Sequence, residues 1–362
     1  MTKNQLSPTV FNELVGWYED DHLQAFKAFL TTARHMLKAP YPTKKFEVDS
    51  EALLRIAEYA ISLDIQTPKD ARIFFEKYFV PHIITPESET CGFVTGYYEP
   101  EIRASLTKTD KFSIPLYKRP ADLISLNNDN RPSDMDPSFI FGRKTDNGIE
   151  TYPDRAAING GFLEGKELEL VYLESYVEVF FIHIQGSARL LLNDNGNVVM
   201  RVKYSGKTGH PFTAIGRILL EWEELTPENV SMQSIKQWLH EHPDEAMDLM
   251  ELNQSYIFFQ EVLDIDPTQG PVGAADVPLT PRRSMAVDKE WHTYGMPIWI
   301  SINQPLYSEK RNFNQLMIAQ DTGSAIVGEA RGDLFIGCSK GAGEIAGHIK
   351  HNADFFLLLP RF

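Results

Sequence analysis

Cysteine is nearly absent from this chain: Cys91 and Cys338 are the two it has in 362 residues. Two thiols cannot build a disulfide framework or a four-cysteine zinc site, and two unpaired thiols are the expectation. Positive charge is also short, with 35 Lys and Arg against 50 Asp and Glu, for a net charge of −15. That balance argues against a nucleic-acid backbone as partner, because phosphate binding needs clustered Lys and Arg. No apolar run reaches the ~18 residues that span a bilayer. No low-complexity tract or solenoid-length repeat occurs. The start, Met1-Thr2-Lys3-Asn4-Gln5-Leu6, lacks the basic, apolar and small-residue order of a signal peptide, and no acylation-type cysteine stands near it. As it reads, nothing in the chain exports or anchors it. What is present is a globular composition, 43% hydrophobic, at a length that suggests two or three domains.

Apolar spacing divides the chain into blocks. Residues 8–90 read as helical: Val10, Phe11, Leu14, Val15, Trp17 and Tyr18 share one face, Leu23, Phe26, Phe29 and Leu30 repeat the pattern, and Leu53 to Ile61 do so again. Thr67-Pro68 is a helix start, with Thr as cap and Pro at the first position. From about 91 the texture is that of strands. Phe93-Val94-Thr95 is one, and Glu178 to Ile184, almost continuously apolar, reads as another. Ala188–Leu192 and Val198–Tyr204 flank Asn193-Asp194-Asn195-Gly196 as a hairpin. Residues 120–150, rich in Asp, Asn, Pro and Ser, read as a long exposed connection. Helical spacing returns at 213–225, 231–240 and 243–251, and strands resume from Tyr256. Helices, strands, helices, strands in that order suggest an α+β, mainly β, chain with one β-rich domain inserted into another.

Several tempting motifs fail on spacing. Ser205-Gly206-Lys207-Thr208-Gly209 looks like the end of a phosphate-binding loop, but Arg201 stands where that loop needs glycine. The glycine-dense run from Gly337 to Gly347 lacks dinucleotide spacing and reads as a loop leading to a short helix. His348 and His351 lie three apart, not the four of a zinc-protease helix. No Gly-x-Ser-x-Gly elbow stands out.

Near the C-terminus, Gln320-Asp321-Thr322-Gly323 and Arg331-Gly332-Asp333 place two carboxylates beside glycines, each next to a short apolar run. Asp321 follows one strand, Leu316–Ala319, and Asp333 precedes another, Leu334–Ile336. A carboxylate held so is either an acid or base aimed into a groove or a turn residue bonding its own backbone. Four other segments are polar amid apolar surroundings: Gly96 to Pro100, Gln185 to Ser187, Asn253 to Tyr256, and Arg282 to Asp288. Aromatic faces with amides and hydroxyls suit sugar grooves, though each segment alone could be turn chemistry.

Together these segments resemble, in content and order, the membrane-bound lytic murein transglycosylase A family. The pieces are Thr95-Gly96-Tyr97-Tyr98-Glu99-Pro100, Ile184-Gln185-Gly186-Ser187, Tyr204-Ser205-Gly206-Lys207, Asn253-Gln254-Ser255-Tyr256-Ile257-Phe258-Phe259, the run from Gly273 to Ser284, and the Asp321 and Asp333 pair of a three-aspartate domain. The resemblance covers about 90 to the C-terminus. It implies a double-psi β-barrel domain from residues 1–100 plus 251–362, with the helical N-terminal region, and an inserted β-rich domain at 101–250 forming the other wall of a glycan groove. It implies cleavage of the bond between N-acetylmuramic acid and N-acetylglucosamine in peptidoglycan without water, leaving 1,6-anhydromuramic ends. Asp333 would be the single acid, then base. Asp321 would support it, and Tyr97, Tyr98, Gln185, Ser187, Asn253 and Ser284 would contact substrate around it. No metal or organic cofactor is implied. Glycan strands are the expected partner, with cell-wall enzyme complexes, a monomeric chain and a periplasmic, outer-membrane-associated location as further expectations. A third family aspartate would align near Lys340 or Gly341, where no carboxylate stands. The competing readings are a glycosidase that hydrolyses with both Asp321 and Asp333, and a non-catalytic glycan-binding module.

Overall fold

The computed structural model describes residues 5–87, 91–195, 198–263, 266, 269–307, 309–339 and 341–361. Two compact units divide the chain, one from Met1–Tyr98 with Asp266–Phe362, the other Glu99–Ile265. The first opens with β1 (Leu6–Pro8), α1 (His22–Met36), α2 (Ser50–Ser62), α3 (Pro68–Tyr78), β2 (Phe79–Ile84) and β3 (Gly92–Tyr97). In the second follow β4 (Glu101–Ala104), β5 (Ile114–Tyr117), β6 (Leu123–Ser125), β7 (Phe141–Thr145), β8 (Gly148–Glu150), α4 (Arg155–Ala157), β9 (Glu169–Leu173), α5 (Tyr176–Gln185), β10 (Ser187–Leu192), β11 (Val198–Lys207), α6 (Ile215–Glu221), α7 (Met232–Glu241), α8 (Pro243–Glu251) and β12 (Ile257–Glu261). The chain returns to the first unit with β13 (Ser284–Val287), β14 (Pro297–Pro305), β15 (Asn312–Asp321), β16 (Arg331–Phe335), α9 (Ala342–His348) and β17 (Lys350–Pro360).

Caps start the N-terminal helices. Asp49 accepts a bond from Ala52 N at 3.0 Å to open α2, and Thr67 accepts one from Asp70 N at 3.1 Å to open α3 with Pro68 behind it. The stretch from Val10 to Tyr18 is not a helix, contrary to its spacing. It forms two short 3-10 turns, Phe11–Glu13 and Trp17–Glu19, separated by Gly16 in the left-handed region at φ 79°. The turns deliver Trp17, fully buried, edge-on to Trp299 at 5.0 Å. Phe26, Phe29, Phe74, Phe75 and Phe79 pack around the same core.

Eight strands of the first unit pair in the order β1-β2-β17-β14-β15-β13-β16-β3, and β17 pairs with β3 as well. The earlier half of β17 takes β3, Lys350 opposite Thr95, and the later half takes β14 and β2. Residues 321–333 do not double back as a hairpin. Strand β13 lies between β15 and β16, parallel to the first and antiparallel to the second.

The second unit holds a four-stranded sheet in the order β12-β11-β10-β4, and smaller sheets β5-β9 and β6-β7-β8. Residues 120–150 are therefore not a bare connection. The β10–β11 pair is antiparallel with Leu192 opposite Val198, and Gly196 of its connection lies outside the described residues. The largest departure from the sequence reading is Glu178 to Ile184, which is helix, not strand. Ser175 caps α5 by accepting from Glu178 N at 3.2 Å, and Gly186 ends it at φ 75°. The run is apolar all round because the helix lies between two clusters. Val179 and Ile182 enter one with Leu190 and Phe259, while Phe180 and Phe181 enter another with Trp238 and Leu249. A helix that packs on two sides and exposes an isoleucine, Ile184, has no polar stripe to reveal its period.

Candidate active site

Asp333 sits in the middle of β16, not at its base. Its neighbours Gly332 and Leu334 are buried on the core face, so strand alternation turns Asp333 to the other. Gly332 is required there: a Cβ would stand 2.6 Å from Met285 Sδ. Across the sheet, Asp333 pairs with Ala286 of β13 on one side and Thr95 of β3 on the other. Ala286 also pairs with Asp321, the last residue of β15. Asp321, Ala286, Asp333 and Thr95 thus form one row, and directly opposed residues share a face. A register shift makes this possible. Met285 pairs with Ala319 and Ala286 with Asp321, so Gln320 is the extra residue. Gln320 turns inward, fully buried, where its amide donates to Ala28 O at 2.9 Å.

The two carboxylates differ in their bonding. Asp321 Oδ1 accepts from Ala274 N and Thr322 N, both at 2.9 Å, and Oδ2 from the Tyr97 hydroxyl at 2.8 Å. Burial raises its pKa against these three donors. Asp333 Oδ1 accepts from Thr95 Oγ1 at 2.6 Å, and Arg331 donates to that same Oγ1 at 2.8 Å. Burial pushes the Asp333 carboxyl up to about 6, against the Arg331 charge and the Thr95 bond, with the negative charge of Asp321 adding to the rise. One carboxylate is pinned by three donors; the other is held at one oxygen and poised to exchange a proton near neutral pH.

Of the other residues singled out from the sequence, the structure brings Tyr97 to the pair, through its bond to Asp321. Tyr98 is half-buried, and its ring packs on Gly343, where a Cβ would come within 2.7 Å of it. Ser284 is fully buried and its hydroxyl is spent inside the unit, accepting from Thr280 N at 2.7 Å and donating to Gln320. Gln185, Ser187 and Asn253 belong to the second unit. Gln185 is half-buried and ends a helix instead of following a strand, and Ser187, 8% exposed, opens β10. Asn253 is 2% exposed; its Oδ1 accepts from Thr213 N at 3.1 Å and its carbonyl from Arg155 Nε at 2.9 Å.

Sequence reasoning missed Thr95 and Arg331 as groups that set Asp333. Both stand inside quoted motifs, but only the pairing of β3 with β16 makes them neighbours. Of the two positions near a third aspartate, Lys340 lies outside the described residues and Gly341 precedes α9 in the left-handed region at φ 93°. Cys91 and Cys338 form no disulfide with each other. Among the described residues no three His, Cys, Asp or Glu side chains converge as a metal site, and no helix is long and apolar enough to cross a membrane.

Comparison with known proteins matches the chain in two places. The family described as MltA specific insert domain matches residues 93–260, and that described as 3D domain matches residues 283–359. The crystal structure of a membrane-bound lytic murein transglycosylase from Agrobacterium tumefaciens is similar at a TM-score of 0.92 and 43% identity, covering 99% of this chain and 98% of that one. MltA from Neisseria gonorrhoeae, in its monoclinic form, is similar at a TM-score of 0.78 and 31% identity, covering 98% of this chain and 92% of that one. The curated membrane-bound lytic murein transglycosylase A of Escherichia coli is 31% identical over 271 residues, 73% of this chain and 64% of that protein. The chain spans just under two thirds of the length of the curated relatives it matches.

Proposed function

This chain belongs to the membrane-bound lytic murein transglycosylase A family, and on that premise we propose that it is a peptidoglycan lytic transglycosylase. It cleaves the β-1,4 bond between N-acetylmuramic acid and N-acetylglucosamine and leaves 1,6-anhydromuramic ends. The observation that carries this reading is the asymmetry of the carboxylate pair, with Asp333 pushed up to about 6 and Asp321 held by three donors. Hydrolytic glycosidases need two working carboxylates, because water must be activated or a covalent ester formed. Here one suffices. Protonated Asp333 gives its proton to the leaving oxygen of N-acetylglucosamine. As carboxylate it takes the proton of the muramic C6 hydroxyl, which attacks C1 of the same sugar. Asp333 ends protonated, as it began, and no water enters.

Mass spectrometry of the muropeptides released from purified peptidoglycan tests this. Anhydro ends support the lyase. Reducing ends point instead to a hydrolase using Asp321 and Asp333, and no products point to a binding module.

Because Asp333 must start protonated, kcat/KM should fall as pH rises through its pKa. The Arg331 charge holds that pKa down. Arg331→Met should therefore move the high-pH limb of the profile upward, by roughly one unit. An unmoved or lowered limb would exclude Asp333 as the titrating acid.

Glycan contacts are assigned to Tyr97, Tyr98, Gln185 and Ser187; Asn253 and Ser284, expected from the sequence to join them, are buried with their side-chain oxygens bonded inside their own units and brace those units instead. Gln185→Ala should weaken binding to purified glycan strands by ~0.5–1.5 kcal/mol, one neutral hydrogen bond, with the melting temperature retained. Unchanged affinity removes Gln185 from the set.

The circuit β17-β14-β15-β13-β16-β3, with β17 pairing β3 again, supports a double-psi β-barrel built from both segments of the first unit. A crystal structure in which β17 touches only one of β14 and β3 would overturn it. The name of the curated relatives supports a periplasmic, outer-membrane-associated location, which cell fractionation tests.

A further inference from the structure

The second unit carries an open cleft of about 350 Å³ that Gln185, Ser187 and Asn253 do not line. It lies toward the start of α5. Tyr176 lines it, and Gln185 closes the helix nine residues later, ~14 Å along the axis. The walls are aromatic. Tyr117 and Tyr256 are buried with ring centroids 6.4 Å apart, and Tyr172 and Tyr176 are half-buried beside them. The carboxylates of the lining are Glu164, which is exposed, and Glu169, which is half-buried. Glu169 pairs with Tyr117 across β5 and β9, so both share one face of that ladder. Among the described residues neither glutamate has an ion pair or a side-chain hydrogen bond. Lys108, the cation of the lining, is exposed.

Two carboxylates stand against one cation in the lining. Burial first, then Glu169 and Glu164, push the Tyr117 hydroxyl up to about 12. Burial raises Tyr172 and Tyr176 as well, with Glu169 adding at Tyr172 and Glu251, then Glu164, adding at Tyr176. Carboxylates without partners beside tyrosine rings attract a positive charge on an organic body, by Coulomb attraction and by the negative faces of the rings. Arg155 already stands over the Tyr256 ring at 5.3 Å, which leaves the Tyr117–Tyr172 side, nearer Glu169, for the incoming charge.

We propose that this cleft is a second binding site, for the ammonium group of a small organic cation, seated against Glu164 and Glu169 with its methyl or methylene groups on the tyrosine rings. The site is separate from the Asp333 chemistry and does not rest on it.

Calorimetric titration of the full chain with choline and with cadaverine tests the site, using the uncharged carbon isostere of choline and chitobiose as competitors in class. Saturable binding of a cation is expected, with the isostere at least about tenfold weaker. Glu169→Gln and Tyr172→Ala should each weaken cation binding about tenfold, with circular dichroism and melting temperature unchanged. Either variant alone, if folded, is sufficient. The proposal is overturned if neither cation saturates, if the isostere binds as well as choline, or if chitobiose binds in their place with an affinity that Glu169→Gln leaves unaltered.

Discussion

Asp333→Ala should release anhydromuropeptides from purified peptidoglycan at a rate roughly 10⁴-fold or more below that of the unaltered chain, because one side chain supplies two proton transfers. Either transfer alone is commonly worth ~10²–10⁴-fold. Binding should survive. The carboxyl touches Thr95 and lies two strands from Asp321, so its removal leaves the neighbouring bonds of Asp321 intact. Co-sedimentation with sacculi should therefore match the unaltered chain. Folding should not suffer, since a half-buried carboxyl whose pKa lies near 6 is a charge the fold does not welcome. The sign of that effect can be stated. The folded-state pKa lies above the unfolded value of ~3.9, so ionisation costs stability as pH rises between the two. The alanine variant lacks that slope. Anhydro-product release within about tenfold of the unaltered rate would sink the assignment of Asp333 as acid and base.

Asp20→Ala should be strongly destabilising. Arg283 grips Asp20 with both terminal nitrogens, at 2.8 and 2.7 Å, and the side chains are 6% and 2% exposed. Asp20 also accepts from Leu316 N at 3.0 Å, and Arg283 donates to Leu316 O at the same distance. The carboxylate thus ties the segment entering α1 to β15 and to the residue before β13. Removing it leaves a guanidinium buried without its counter-charge, a loss of about 3–5 kcal/mol. Arg283→Met combined with Asp20→Ala should recover part of that loss, because the stranded charge goes too. Urea denaturation followed by tryptophan fluorescence reads both, Trp17 and Trp299 being in this core. A loss below about 1 kcal/mol for the single variant would mean that water reaches Arg283 and the pair acts as a surface bridge.

The parts of the site legible in the sequence were those written as contiguous words. Gln320-Asp321-Thr322-Gly323 and Arg331-Gly332-Asp333 marked the carboxylates, and Thr67-Pro68 and the spacing of 51–63 marked helices that form within a residue or two of their expected bounds. What pairing alone decides was not legible. The four residues of β13, Ser-Met-Ala-Val, are all buried and show no alternation, so nothing announced a strand between Asp321 and Asp333. Arg331 and Thr95 stand far apart in the chain and meet only through β16 and β3. The helix α5 looked like a strand because both its sides are buried. The tyrosine-lined cleft gathers residues from β5, β9, α5 and the entry to β12, and no single stretch carries its pattern.

The last strand of the chain, β17, is hydrogen-bonded to β2, β14 and β3. During synthesis β2 and β3 emerge before the whole of Glu99–Ile265, and for that interval β17 does not yet exist to cover them. Their backbone edges then stand open, as strand edges prone to wrong pairing do. Contacts of such sequence separation also form slowly. The second unit, continuous in the chain, can collapse while the first still waits. Thr95 and Asp333 cannot meet before the whole of the second unit has been made, so the carboxylate row is among the last parts of the chain to assemble.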